Sequence, residues 1–282
     1  FYSSSQNGLV RRFSLGVGST YGRDYPIPLA GSDAFLANSS NLPGSDGRQF
    51  IHPFEVDRST HATMYYPAGA VNNPGKFELY RNTRIRSEQN IAQSGWQALP
   101  NFVSDIPITA LSSSMVPQGR LVMGTSGNGM NGLYLVNRAD LATADIDTLR
   151  IPAVFQGGNI QNIAINPDNA DEFVVVFSNY NVVSMLHTED AGATFRNIEG
   201  NLAGTERAGE ELFGLSIRSV AIMPFAGTKV YFAGTSAGLY STSELQGSGT
   251  QWVKESPDGI GDVPITWVDT RATDGTVMVA TH

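Results

Sequence analysis

The carboxylates Asp105, Glu206, Glu210, Glu211, Asp258 and Asp262 are the side chains here best suited to chemistry, because each falls in a turn-forming stretch rather than an apolar run. Two carboxylates facing across a cleft, roughly 5 Å or 6.5–9.5 Å apart, can cleave a glycosidic bond. Glu211 and Asp258 are singled out, first as ligand-binding residues and, in an enzymatic alternative, as the catalytic pair. A solvated loop charge is the ordinary role of each. Tyr66, beside Tyr65, and the pair Tyr180-Asn181 also lie in or next to turns. They join a flat apolar surface to hydrogen-bonding groups, which suits carbohydrate or protein contact. The alternative for Tyr65 and Tyr66 is that they end a strand, one facing each side of its sheet.

Metal and cofactor chemistry has less to work with. His52, His61, His187 and His282 are scattered, with no pair at the short spacing of zinc sites. The absence of cysteine removes disulfides, thiolate metal sites and thiol nucleophiles. Asp168, Asn169, Asp171 and Glu172 make an oxygen-rich turn that could hold calcium. Asn166-Pro167-Asp168-Asn169 is equally an ordinary Asx-type turn. The glycine-rich stretch 124–132 is not followed by Lys-Ser/Thr, so it reads as a turn and not a phosphate loop. No cofactor is expected, calcium being the one alternative.

Composition points to a β protein facing outward. The 282 residues are 41% hydrophobic, enough for an ordinary core. Only 16% are charged, while Gly, Ser, Thr and Asn are plentiful, a balance that favours short strands and turns. A formal charge of −8 repels nucleic acid and anionic membranes at long range. No stretch has the ~18 apolar residues of a membrane span. The lysine-poor surface and the start at Phe1-Tyr2-Ser3 fit an extracellular or cell-surface protein and a mature or trimmed chain.

The elements that must position these residues repeat. Strand-like runs at 159–167, 173–178, 182–187 and 194–198 are followed by equivalents at 217–224, 229–235, 238–242 and 247–252. Earlier copies run through 108–111, 120–125 and 132–136, and through 48–52, 62–67 and 77–81, the latter closed by Trp96. Ile108, Ile160, Ile217 and Ile265 open successive copies, 52, 57 and 48 residues apart. Such a period means stacked modules. Four antiparallel strands per module predict an all-β fold, a β-propeller of four-stranded blades, which a sandwich would not explain so well. About five blades are visible: a partial blade at 1–30, blades near 45–100, 106–151, 158–199 and 215–254, and a partial blade at 263–282. The two partial blades either combine or belong to a larger propeller, and the second option is preferred.

The run Thr188-Glu189-Asp190-Ala191-Gly192-Ala193-Thr194-Phe195 fits the pattern Ser/Thr-x-Asp-x-Gly-x-Thr-Trp/Phe at every specified position. Asp190 can accept amides of its own turn, Gly192 can take a positive φ, and Phe195 can wedge between sheets. This resembles the Asp-box, a hairpin staple rather than an active site. With Asn166-Pro167 and Val279-Ala280-Thr281-His282, the chain resembles bacterial Asp-box (BNR-like) repeat proteins, a superfamily of sialidases, xyloglucanase-type glycosidases and sortilin-type receptors. The nearest texture is that of large secreted Bacteroidota-like surface proteins, many exported by type IX secretion. The resemblance implies that ligands bind on the face opposite the box, the side of the turns between second and third strands. Gly22-Arg23-Asp24-Tyr25-Pro26 departs from the Arg-Ile-Pro motif of sialidases, so that activity is not expected. The leading expectation is a non-catalytic binding or assembly module contacting protein or glycan at the cell surface. The alternative is part of a polysaccharide-active glycoside hydrolase of the xyloglucanase type.

Overall fold

The computed structural model describes residues 2–5, 9–12, 35–37, 53–70, 72–85, 96–156, 158–178, 183–204, 206–207, 210–211 and 214–281. Four sheets of four antiparallel strands carry the fold. They are β4 to β7 (Glu55–Val56, Met64–Gly69, Phe77–Asn82, Trp96–Ala98), and β8 to β11 (Ile108–Ser113, Leu121–Gly127, Met130–Asn137, Asp145–Leu149). Next come β12 to β15 (Ile160–Asn166, Asn169–Phe177, Met185–Thr188, Arg196–Asn197), then β18 to β21 (Ile217–Phe225, Thr228–Thr235, Gly238–Thr242, Val253–Lys254). Smaller sheets are formed by β1 to β3 (Tyr2–Ser5, Leu9–Arg12, Phe35–Ala37), by β16 and β17 (Glu206–Arg207, Glu210–Glu211), and by β22 and β23 (Ile265–Arg271, Thr276–Thr281). The first strand expected at 48–52 lies outside the described residues, and Glu55–Val56 takes that place in its sheet.

The β12–β15 blade is apolar on both faces because it is packed between two others. Along β13, Phe173, Val175 and Phe177 enter one cluster with Val122, Leu133 and Leu135 of β9 and β10. Val174 and Val176, pointing the other way, enter another with Val220, Ile222, Tyr231 and Trp252. Side-chain alternation with a period of two turns one apolar run into two interfaces. Burying each such side chain is worth about 1.5–3 kcal/mol.

The inner strands share one device. In β8, β12, β18 and β22 the pairing register slips immediately after Ile108, Ile160, Ile217 and Ile265. The resulting bulge bends each inner strand at the same point. Opposite it, Gly124 and Gly234 make room for the next blade's isoleucine: an added Cβ would stand 2.6 Å from Ile160 Cγ2 and 2.7 Å from Ile265 Cγ2. Side chains then tie inner strand to inner strand. Glu55 Oε1 accepts from Ser113 N at 2.9 Å and Ser112 Oγ from Ile165 N at 3.4 Å. Asn162 Oδ1 accepts from Val220 N at 2.9 Å, and Ser219 Oγ from Val268 N at 3.1 Å.

Candidate functional site

The residues expected to bind ligand do not come together. Tyr66 is fully buried among Met64, Ala68, Tyr80 and Ile85, with its ring 5.8 Å from that of Trp96. Tyr65 is as deeply buried on the opposite side of β5, against Leu79 and Ile108. With no exposed surface, Tyr66 is a core residue and its expected contact role is corrected. Tyr180 and Asn181 lie outside the described residues. Glu206 and Glu211 stand opposite each other in the β16–β17 hairpin; their side chains lie outside the described residues. Asp258 is exposed on the link between β21 and β22.

The oxygen-rich turn is also divided by strand alternation. Asp171 turns to Arg120 of the preceding blade. Glu172 turns the other way and is 2% exposed. Its carboxylate accepts from Asn166 Nδ2 at 2.7 Å, Lys229 Nζ at 2.8 Å and the Tyr231 hydroxyl, with His187 Nε2 at 3.2 Å. Burial alone would raise its pKa, but these hydrogen bonds bring it down to about 2. Ligand atoms of Glu172, His187 and Glu189 do lie within 4.8 Å of one another. The Lys229 ammonium, 3.9 Å from Glu189, already supplies the cation there. Tyr231 and Glu172 make the kind of contact that a tyrosine nucleophile makes with its base, yet at 3% and 2% exposure neither can meet a substrate.

The box run forms a closed turn. Asp190 accepts from Thr194 N at 2.8 Å and Thr194 Oγ1 at 2.6 Å, while Thr188 Oγ1 accepts from Gly192 N at 3.0 Å. Gly192 has φ +87° and Ala191 +57°. Phe195 packs edge-on to Phe173, ring centres 6.1 Å apart.

A cavity of about 1120 Å³ lies among the described residues. Its walls come from the turns between first and second strands of four blades and of the β22–β23 pair, including Met115, Pro167, Phe225 and Met278. This is the same side as the box, since Ala191 N donates to Asp171 O near the start of β13 at 2.8 Å. The resemblance to Asp-box proteins implies ligands on the opposite face. Three charged residues, none of them anticipated, sit together in the cavity lining. Asp57 fixes the turn after β4 by accepting from Ser59 N at 3.1 Å and Thr60 N at 2.9 Å. Arg58 thereby reaches Glu55 Oε1 at 3.4 Å and, 211 residues away, Asp269 Oδ1 at 3.5 Å. Burial raises the Glu55 pKa, with Arg58 and the Ser113 hydrogen bonds acting against it. Burial opposes the charge on Arg58, but Glu55 and Asp269 outweigh it and hold the guanidinium charged. The adjoining Arg58-Ser59-Thr60 turn marks a strand end in the sequence, but nothing there points to Asp269.

Five inner strands, β4, β8, β12, β18 and β22, thus follow one another in space, each packed against the next. The chain folds as a β-propeller. Among solved structures, the GH74 enzyme of Niastella koreensis aligns with a TM-score of 0.58 at 14% identity, over 99% of this chain and 38% of that one. An ancestral GH74 enzyme aligns with 0.54 at 10% identity, over 85% of this chain and 30% of that one. The Cps50 (Swd1) β-propeller domain of Myceliophteria thermophila aligns with 0.46 at 12% identity, over 82% and 62%. The propeller chain therefore spans well under half the length of either GH74 enzyme, and the likeness is one of fold. No family model and no curated protein matches the sequence. Among the described residues, no helix is long and apolar enough to cross a membrane.

Proposed function

We propose that this propeller is a secreted or cell-surface binding module that engages protein or glycan through the mouth of the turn-lined cavity. One observation carries the reading: turns from successive blades converge on a cavity whose rim leaves Met115 44%, Phe225 43% and Met278 59% exposed. Apolar side chains gathered at a concave mouth above fixed polar groups are the usual make-up of a binding site. Kinship with the Asp-box repeat proteins of bacterial surfaces, and export by type IX secretion, are part of the same proposal. The closed turn of Thr188, Asp190, Gly192 and Thr194 supports that kinship. Protease treatment of intact producing cells tests the location: digestion of the protein supports it, and full protection until lysis refutes it. Glycan arrays and peptide libraries probed with the full chain test the binding role, and no selective ligand on either would refute it.

A second reading, a glycoside hydrolase of the xyloglucanase type, is favoured by two carboxylates in one cavity. Burial raises the Glu55 pKa, the direction a general acid requires, while Asp269 is 39% exposed in its side chain. Likeness of fold to GH74 enzymes adds to it. Release of reducing ends from β-glucans, lost in both Glu55→Gln and Asp269→Asn, would establish this reading; unchanged release in both variants would remove these residues from it.

A further inference from the structure

We propose that the cavity mouth takes a polypeptide segment that presents large apolar anchors on an otherwise uncharged stretch. This rests on the reading that the mouth is the ligand-bearing face, and narrows its partner. The rim is apolar and irregular. Of the ten large apolar side chains exposed among the described residues, Met115, Val116, Phe225 and Met278 lie at or beside this mouth. Methionine thioethers adapt their shape to varied side chains, and Met, Phe and Arg are enriched where proteins meet.

The charges beneath the rim favour no charged ligand. Glu55, Asp168 and Asp269 balance Arg58, Lys229 and Arg271 in the lining. Each of the cations is already held: Arg58 by Glu55 and Asp269, Lys229 by Glu172, and Arg271 by Asp274 at 2.6 Å. A uronate, sulfate or phosphate group would have to break one of these pairs to bind, so acidic glycans, nucleic acids and anionic lipids gain little here. A neutral sugar would need an open aromatic platform with amide or hydroxyl groups beside it. Phe225 is the half-exposed ring at the rim; the Asn166 nitrogen is committed to Glu172, and the Thr228 and Thr270 hydroxyls of the lining already donate to Phe225 O at 3.0 Å and Ile222 O at 3.2 Å. The volume, about 1120 Å³, also lies above the roughly 300–1,000 Å³ typical of small-ligand pockets, as a chain segment requires.

The test uses the full chain against a library of short random peptides, followed by titration calorimetry of the selected peptides. Three variants accompany it: Phe225→Ser and Met278→Glu at the mouth, and Met130→Ser, 52% exposed on the opposite face, as a control. The expected result is selection of peptides with spaced apolar anchors, whose affinity falls at least about tenfold in both mouth variants and is unchanged in Met130→Ser. Raising salt from roughly 0.05 to 0.5 M should change affinity less than about threefold. Steep salt dependence, equal binding by all variants, or no peptide selected would each overturn the proposal. Cello-oligosaccharides are run in parallel. If they bind instead and the mouth variants abolish binding, the face is right and the partner class wrong; if neither probe binds, the proposed function falls with it.

Discussion

Gly124 and Ile160 belong to successive blades, and their contact is so close that a Cβ on the glycine would stand 2.6 Å from Ile160 Cγ2. The φ of Gly124 lies outside the left-handed region, so its need for glycine is one of space alone. Gly124→Ala should therefore destabilise by about 1–3 kcal/mol through overpacking. Combining it with Ile160→Ala, which removes the Cγ2 methyl, should cost less than the two single losses added together, measurable as shifts of the urea midpoint at constant slope. Independent, additive losses would tell against the contact.

Glu172 joins two blades, with partners from β12, β14 and β19. Glu172→Ala should cost about 3–5 kcal/mol, since it strands a lysine ammonium and several buried donors. The sign of its pH dependence follows from its low pKa. The folded carboxyl titrates near 2 and the unfolded one near 4.5, so the stabilisation is complete above about 4.5 and is lost as pH falls through about 2. Chemical denaturation between pH 6 and pH 2 should show an acid-side decline that Glu172→Gln flattens.

Asp190 also has a pKa lowered to about 2, chiefly by the Thr194 hydroxyl and amide, but it is exposed. Asp190→Ala should cost only about 1 kcal/mol after solvent screening. Phe195 is half-buried rather than enclosed. Phe195→Ala should cost about 2 kcal/mol, below the usual ~3–5 for a fully buried ring. Thermal melts of both variants check the ranking, and an Asp190 effect larger than that of Phe195 would contradict it.

Glu55 behaves in the opposite sense to Glu172. Its folded pKa is raised, so the stability it contributes is greatest below the unfolded value of 4.5 and is lost as pH rises through the folded value. Glu55→Gln should remove that step while keeping a Ser113 partner. Stability of wild type and variant, measured by denaturant titration from pH 4 to pH 8, should converge at low pH and separate at high pH. Parallel curves would refute the assignment.

The amino-acid order by itself determined the all-β class, the spacing of the isoleucines that open the inner strands, and the closed turn of Thr188 to Phe195. Each depends on side-chain alternation or on hydrogen bonds between residues a few positions apart, so it is written in adjacent letters. Tertiary structure alone decided that Tyr66 is core, since an aromatic in a short strand reads the same whether or not its ring is covered. It alone brought Arg58 to Asp269 and gathered Asn166, Glu172, His187, Lys229 and Tyr231. Those contacts depend on how successive twisted sheets close around an axis, and that angle arises from interfaces between blades, to which no single stretch of sequence corresponds.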